Sequence, residues 1–259
     1  KILIILLLPL FSISQSNFNL QLLGSYQWSF SEGSDIWGWV DSNGNEFALV
    51  GLNDGFSVVD VTNPMNLNEM FYIPDLNSTW RDIKTWGNYA YVTTEADAGL
   101  LIVDLSDMSG NTYWHKTNFT NPNGQSTEFT AAHNIYIDEN GIAYIFGASS
   151  NSGSNPSNGA IFLDVAADPI NPHYLGEWDQ NYIHDGMVRG DTMYAGCIYA
   201  GELFIVDVSN KSNPQTLGSK STPSNFTHNA WVSDDGDYVF TTDEVNGAFL
   251  GSYDITDLN

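Results

Sequence analysis

Apolar residues in this chain come in short runs, and polar, glycine-rich breaks separate them. Four runs follow in order at 134–137 (NIYI), 143–146 (AYIF), 160–164 (AIFLD) and 174–178 (YLGEW). The breaks between them are "DENG", a Ser/Asn/Gly-rich stretch and "DPINP". Runs this short, rich in β-branched and aromatic residues and bounded by Gly, Pro, Asn and Asp, predict strands joined by turns. No segment sustains the period of an amphipathic helix.

The pattern repeats. "GFSVVDVTNP" (55–64), "GLLIVDLSD" (99–107), "GAIFLDVAADP" (159–169), "GELFIVDVSNKSNP" (201–214) and "GAFLGSYDITD" (247–257) share a Gly, an apolar strand and an Asp: Asp60, Asp104, Asp164, Asp207 and Asp254. A second landmark recurs on the same cycle at Asp35, Asp82, Asn134, Asp185 and Asn229. Five units of about 45 residues, each of four antiparallel strands, predict the blades of an all-β propeller. A four-stranded sheet cannot cover its own two faces, whereas blades around an axis cover one another. The stretch "LLGSYQW" (22–28) is similar to the fourth strands "HYLGEWD" and "QTLGSKS". It is expected to complete the last blade, whose own chain ends after a third strand. Both a closed five-bladed ring and a larger ring with further blades fit this spacing.

Composition narrows the function classes. The 259 residues hold 31 acidic and 7 basic side chains, a formal charge of −24. Nucleic acid and anionic lipid need Lys/Arg patches, so neither is an expected partner. The single Cys197 excludes an intrachain disulfide and reads as packing rather than nucleophile. Residues 1–16, "KILIILLLPLFSISQS", have the charge, short apolar run and small polar exit of a secretory signal peptide, leaving 17–259 as the mature propeller. The expected location is secreted or at a bacterial cell surface.

The phrases "LLIVDL" and "LFIVDV" resemble the LVIVD repeat. The ordered set "SDIWGW", "EFALVGLNDGFSVVDVTNP", "WRDIKTWGNYAYVTTE", "AAHNIYID", "YIHDGMV" and "THNAWV" resembles the choice-of-anchor B family of exported bacterial propellers. That resemblance implies export, further blades, a seven-bladed ring of which this chain is a fragment, and a C-terminal anchor through which alone the protein would meet a membrane. It implies no reaction.

Three of the five histidines, His133, His184 and His228, stand one residue before the second landmark; Ser34 and Arg81 fill that place in the first two units. The landmark itself is filled by Asp or Asn in every unit, which suits a structural cap on backbone N–H groups. Histidine in only three adjacent units is not demanded by blade packing. At the start of innermost strands the three imidazoles would ring one mouth of the central channel, the top face. There they would hold a transition metal (Zn, Cu, Fe or Mn), bind an anion, or satisfy backbone carbonyls. Arg81, Asp185, Asp243 and Glu244 are expected on that face as ligand contacts, with Glu95 and Asp97 nearby. The long loops 116–130 and 148–158 belong there as well. Trp37, Trp39, Trp86, Tyr136 and Trp231 are expected between blades. The function that follows is a binding module presenting its top face to an extracellular protein, a glycan or a small ligand. The alternative is a metal-dependent enzyme at the channel mouth.

Overall fold

A computed structural model describes residues 20–151 and 156–257. The expected signal peptide lies outside them. The first four repeats each fold into a four-stranded antiparallel sheet with neighbouring strands joined in sequence. Blade 1 holds β1 (Gly33–Val40), β2 (Glu46–Leu52), β3 (Gly55–Asp60) and β4 (Asn68–Pro74). Blade 2 holds β5 (Ile83–Trp86), β6 (Tyr89–Val92), β7 (Leu100–Asp104) and β8 (Tyr113–Lys116), followed by a small hairpin of β9 (Asn118–Thr120) and β10 (Ser126–Glu128). Blade 3 holds β11 (Asn134–Ile137), β12 (Ile142–Phe146), β13 (Ala160–Asp164) and β14 (His173–Trp178). Blade 4 holds β15 (Asp185–Arg189), β16 (Thr192–Cys197), β17 (Glu202–Asp207) and β18 (Gln215–Ser221). Blade 5 has three strands among the described residues: β19 (Thr227–Val232), β20 (Tyr238–Asp243) and β21 (Gly251–Asp254).

The two landmarks have separate mechanical roles. The Asp that ends each third strand turns its carboxylate onto the backbone just beyond: Asp60 accepts from Thr62 N, Asp104 from Ser106 N, Asp164 from Ala167 N, Asp207 from Ser209 N and Asp254 from Thr256 N, all at 2.8–3.0 Å. Four of these are Asx turns and Asp164 reaches one residue further; each ends a strand by satisfying a following donor locally. The acid at the start of the inner strands reaches into the next blade. Asp35 Oδ2 accepts from Ile83 N at 3.0 Å, Asp82 Oδ2 accepts from Ile135 N at 3.0 Å, and Asp185 Oδ2 accepts from the Asn229 side-chain amide at 3.2 Å. The expected cap on backbone N–H groups thus also staples one blade to the next, and Asp82 caps Ile83 N of its own blade as well, at 2.8 Å.

Inner strands follow one another around the axis, β1 beside β5, β5 beside β11, β11 beside β15 and β15 beside β19. Apolar faces fill the four gaps. Phe56, Val58, Ile83 and Leu101 lie between blades 1 and 2, and Leu100, Ile135 and Ile161 between blades 2 and 3. Phe146, Phe162, Met193 and Cys197 lie between blades 3 and 4, and Met187, Ile205, Ala230 and Val239 between blades 4 and 5. Each such large side chain contributes about 1.5–3 kcal/mol on burial. Cys197 is buried, and burial pushes its thiol up to about 12, so it is packing and not a nucleophile.

Two expectations need correction. The stretch 22–28 forms no strand and does not join blade 5. It lies along blade 1, where Trp28 Nε1 donates to Glu69 Oε1 at 2.7 Å and the Phe30 ring meets Tyr72 edge-on at 5.5 Å. Its polar and aromatic groups find their partners on β4, the outer strand of blade 1. Trp231 is not packed between blades either: it is 54% exposed, on the face of β19 turned away from blade 4. Ile36 and Val40 on β1 are exposed in the same way at the other end of the arc.

Candidate functional site at the mouth of the inner strands

The register of the inner strands brings the three histidines together. His133 and His184 immediately precede β11 and β15, and His228 is the second residue of β19. The backbone N–H of His133 is tied to Phe146 O at 3.0 Å and that of His184 to Gly196 O at 2.9 Å, so each enters its blade at the same height. Ring centroids of His133 and His184 are 4.0 Å apart, and those of His184 and His228 are 4.6 Å apart.

These residues line a cavity of about 510 Å³. Carboxylates surround the imidazoles. Glu95 Oε1 is 2.7 Å from His133 Nδ1, Asp185 Oδ2 is 3.7 Å from His184 Nδ1 and 3.8 Å from His228 Nδ1, and Glu244 Oε2 is 3.8 Å from His184 Nε2. Burial alone would lower the His184 pKa, but Asp185 beside it and Glu244 across the pocket outweigh burial and raise it above the ordinary imidazole value. His184 Nδ1 is sheltered from water and has no hydrogen-bond partner. The 3.7 Å separation from Asp185 is an electrostatic contact, too long for a hydrogen bond.

The remaining expected contacts divide. Asp185 and Glu244 line the cavity. Arg81 also borders the cavity, but its side chain, like that of Asp243, is engaged by the scaffold. The Arg81 side chain is fully buried; it pairs with Asp75 at 2.7 Å and donates to Leu52 O at 2.7 Å and to Leu76 O. Burial would raise the Asp75 carboxyl, but His115 and the Arg81 guanidinium hold it below the usual carboxylate range. Asp243 accepts from the Thr222 hydroxyl, from Ser224 N at 3.0 Å and from Phe226 N at 2.9 Å, fixing the loop that leads into β19. Asp97 likewise ties loops together, accepting from Thr130 Oγ1 at 2.7 Å and from the Asn151 amide.

Several pocket residues escaped the sequence reading. Trp80, Tyr182 and Tyr199 stand in loops at the rim, and Tyr199 is 77% exposed. Trp80 and Tyr182 lie one and two residues before the histidine landmark position of their units, so an offset search around that landmark would have found them. Asp35 and Asp82 also face the pocket, and both accept from the same Ile83 N–H, at 3.0 and 2.8 Å. Burial and then the neighbouring Asp82 push Asp35 up to about 7. Lys84 Nζ bonds Asp82 Oδ1 at 2.8 Å and sits over the Trp37 ring.

The fold and repeat agree with known proteins. The LVIVD repeat family model matches residues 43–74, 79–112 and 188–222, which fall in blades 1, 2 and 4. LVIVD repeats thus lie within a chain whose four-stranded sheets are arranged like the blades of a β-propeller. No curated protein matches it in sequence. Among solved structures it is similar to the β-propeller domain of Cps50 (Swd1) from Myceliophteria thermophila, with a TM-score of 0.51 and 12% identity over 83% of this chain and 65% of that domain. It is also similar to PorZ of Porphyromonas gingivalis, a bacterial surface component of the type-IX secretion system, with a TM-score of 0.57 and 15% identity over 81% of this chain. A chain of the mitotic checkpoint complex matches with a TM-score of 0.51 and 9% identity over 89% of this chain and 77% of that one. The chain spans 30% of the PorZ chain and under two thirds of the Cps50 domain. At these identities the likeness is one of fold.

Proposed function

We propose that this protein is an exported, cell-surface or secreted propeller of the choice-of-anchor B type that works as a binding module through its top face. The observation that carries the reading is convergence. The inner-strand entrances and the loops between second and third strands deliver three histidines, five carboxylates and the aromatic rim of Trp80, Tyr182 and Tyr199 to one open cavity. A rigid scaffold with its chemistry gathered on the loops of one face has the anatomy of a recognition surface. With a formal charge of −24 and carboxylates at the mouth, the favoured ligand is cationic, a basic segment of an extracellular protein or a metal-bearing small ligand.

Further blades belong to the same proposal. Ile36 and Val40 on β1, and Trp231, Phe249 and Leu250 on blade 5, present apolar surface at both ends of the arc, as faces awaiting neighbouring blades do. The recurring glycine supports this. A Cβ at Gly55, Gly99, Gly159 or Gly201 would lie 2.1–2.6 Å from the backbone of its own blade's outer strand or of the loop after it. At Gly247 the same space is open. Two more blades and a fourth strand on blade 5 would make a ring of seven.

Displayed peptides and glycans provide the test. A Tyr199→Ala, Glu244→Gln double variant is expected to weaken binding at least tenfold, while Asn63→Ala, in the loop between β3 and β4, leaves it unchanged. Binding lost through Asn63 and not through the pocket pair would overturn the reading. A metal-dependent enzyme is the competing reading, favoured by His184 and Asp185 facing the same open cavity.

A further inference from the structure

We propose that His133, His184 and Asp185 form a binding site for one divalent first-row transition-metal ion, with Glu95 as the residue that positions His133. The site shares the cavity of the binding reading and stands without it.

Four observations converge. One ligand atom from each of His133, His184 and Asp185 can be chosen so that all three lie within 4.8 Å of one another. Around a tetrahedral ion with bonds of about 2.0–2.1 Å, ligand atoms sit about 3.4 Å apart, so closing any pair by at most about 1.4 Å, shared between two side chains, completes the triad. The second observation is the sheltered His184 Nδ1, which has no hydrogen-bond partner although Asp185 Oδ2 stands 3.7 Å away. A polar atom left so, with a carboxylate just beyond bonding distance, is explained by a third body between them. The third is outer support. Glu95 Oε1 holds His133 Nδ1 at 2.7 Å, which fixes the ring and leaves Nε2 as the free donor; Asn229 Nδ2 holds Asp185 Oδ2 at 3.2 Å. Metal-bound imidazoles and carboxylates are oriented in this manner. The fourth is the comparison between repeats: Ser34 and Arg81 occupy the histidine place in blades 1 and 2, so the fold itself does not require imidazole there.

Charge decides between cation and anion. Three imidazoles alone would suit an anion when protonated, but Glu95, Asp185 and Glu244 stand at 2.7–3.8 Å from them and make the pocket negative. Two imidazoles and one carboxylate suit Zn(II), Fe(II), Mn(II) or Ni(II), and three protein ligands leave positions open toward the cavity. A second grouping, His184, His228 and Glu244, also lies within 4.8 Å. It is the weaker seat, because His228 is 36% and Glu244 49% exposed, whereas His133, His184 and Asp185 are 11–13% exposed. A more buried donor set loses less rotamer freedom on binding.

The test is titration of the purified full chain with Zn²⁺, and with Co²⁺ followed by its visible absorption. One equivalent is expected to bind. His184→Ala and His133→Ala each weaken binding at least a hundredfold, Glu95→Gln weakens it about tenfold or more, Glu244→Gln weakens it less than Glu95→Gln does, and Asn63→Ala leaves it within twofold. Far-ultraviolet circular dichroism checks each variant's fold; should the histidine variants unfold, Glu95→Gln against Glu244→Gln decides. No saturable uptake by the wild type overturns the site. So does uptake that ignores His133 and Glu95 but falls with Glu244→Gln. Metal uptake can fail while peptide or glycan binding persists, and the converse, so the two proposals fall separately.

Discussion

Asp35 and Asp82 share one backbone donor, Ile83 N–H. The Asp35 carboxyl is raised to about 7 from the usual 3.8, chiefly by burial and then by Asp82. In the unfolded chain it ionises near 4, so its contribution to stability is complete below about pH 4 and is lost as the pH rises through 7. Asp35→Asn should therefore leave stability unchanged at pH 4 and raise it at pH 8. The gain is about 1–2 kcal/mol once solvent screening at a partly exposed site discounts the full shift. Urea unfolding at the two pH values reads this directly, and equal pH dependence in both proteins would refute it. The chain has made this substitution itself, with Asn134 and Asn229 at the equivalent places. Arg81 makes the opposite point. Its charge is buried against Asp75, so Asp75→Ala leaves a cation with no counter-charge and should cost about 3–5 kcal/mol. A thermal melt showing little loss would return Arg81 to the pocket. Sequence spacing placed Arg81 correctly at the channel mouth, but which way its long side chain turned depended on Leu52 O and Asp75, which only folding brought within reach.

At the scale of strands and turns the sequence was readable almost residue by residue. The runs at 134–137, 160–164 and 174–178 correspond to β11, β13 and β14, with differences of one residue at an end. Each turn carries its own chemistry. Asp138 Oδ1 accepts from Asn140 N and Ile142 N at 2.9 Å, and Asp41 Oδ1 does the same for Asn43 N and Asn45 N, so "DENG" and "DSNGNE" are hairpin turns. Gly141 closes the first of these with φ of +75°, and a Cβ there would meet the Trp86 ring of the neighbouring blade at 2.5 Å. Gly141→Ala is expected to destabilise by about 1–3 kcal/mol, since it adds backbone strain to a clash across the blade 2–blade 3 gap. Gly44→Ala is the control: its φ is +85° but its surroundings are open, so it carries the strain alone. Equal losses in calorimetry would show that the contact between blades contributes nothing. The misread element, 22–28, failed for a related reason. Its strand-like pattern is real, but a strand needs an edge to pair with, and its side chains settled on Glu69 and Tyr72 instead.

Across the whole molecule, stability comes from gaps between blades rather than from any one sheet. The four apolar clusters each draw on two adjacent blades, and the carboxylate staples cross the same boundaries. The two ends of the arc lack that cover. Ile36 is 65% exposed, and Phe249 and Leu250 are 75% and 65% exposed. Residues 17–259 produced alone should self-associate through these faces. Replacing Ile36, Phe249 and Leu250 by Lys should shift sedimentation toward monomer without lowering the melting temperature, because exposed apolar groups lose little when made polar. Concentration-independent sedimentation of the unmodified protein would contradict this.

The amino-acid sequence by itself determined strand, turn and repeat, because alternation, glycine positions and Asx turns are local properties that each unit carries complete. It determined also that equivalent positions recur, and hence that His133, His184 and His228 belong to one level of the structure. Only the tertiary structure decided which carboxylates stand beside those rings, which charges are consumed by the scaffold, and that His184 Nδ1 is left without a partner. Those are distances between residues 38 to 60 positions apart in the chain, set by how one blade packs on the next.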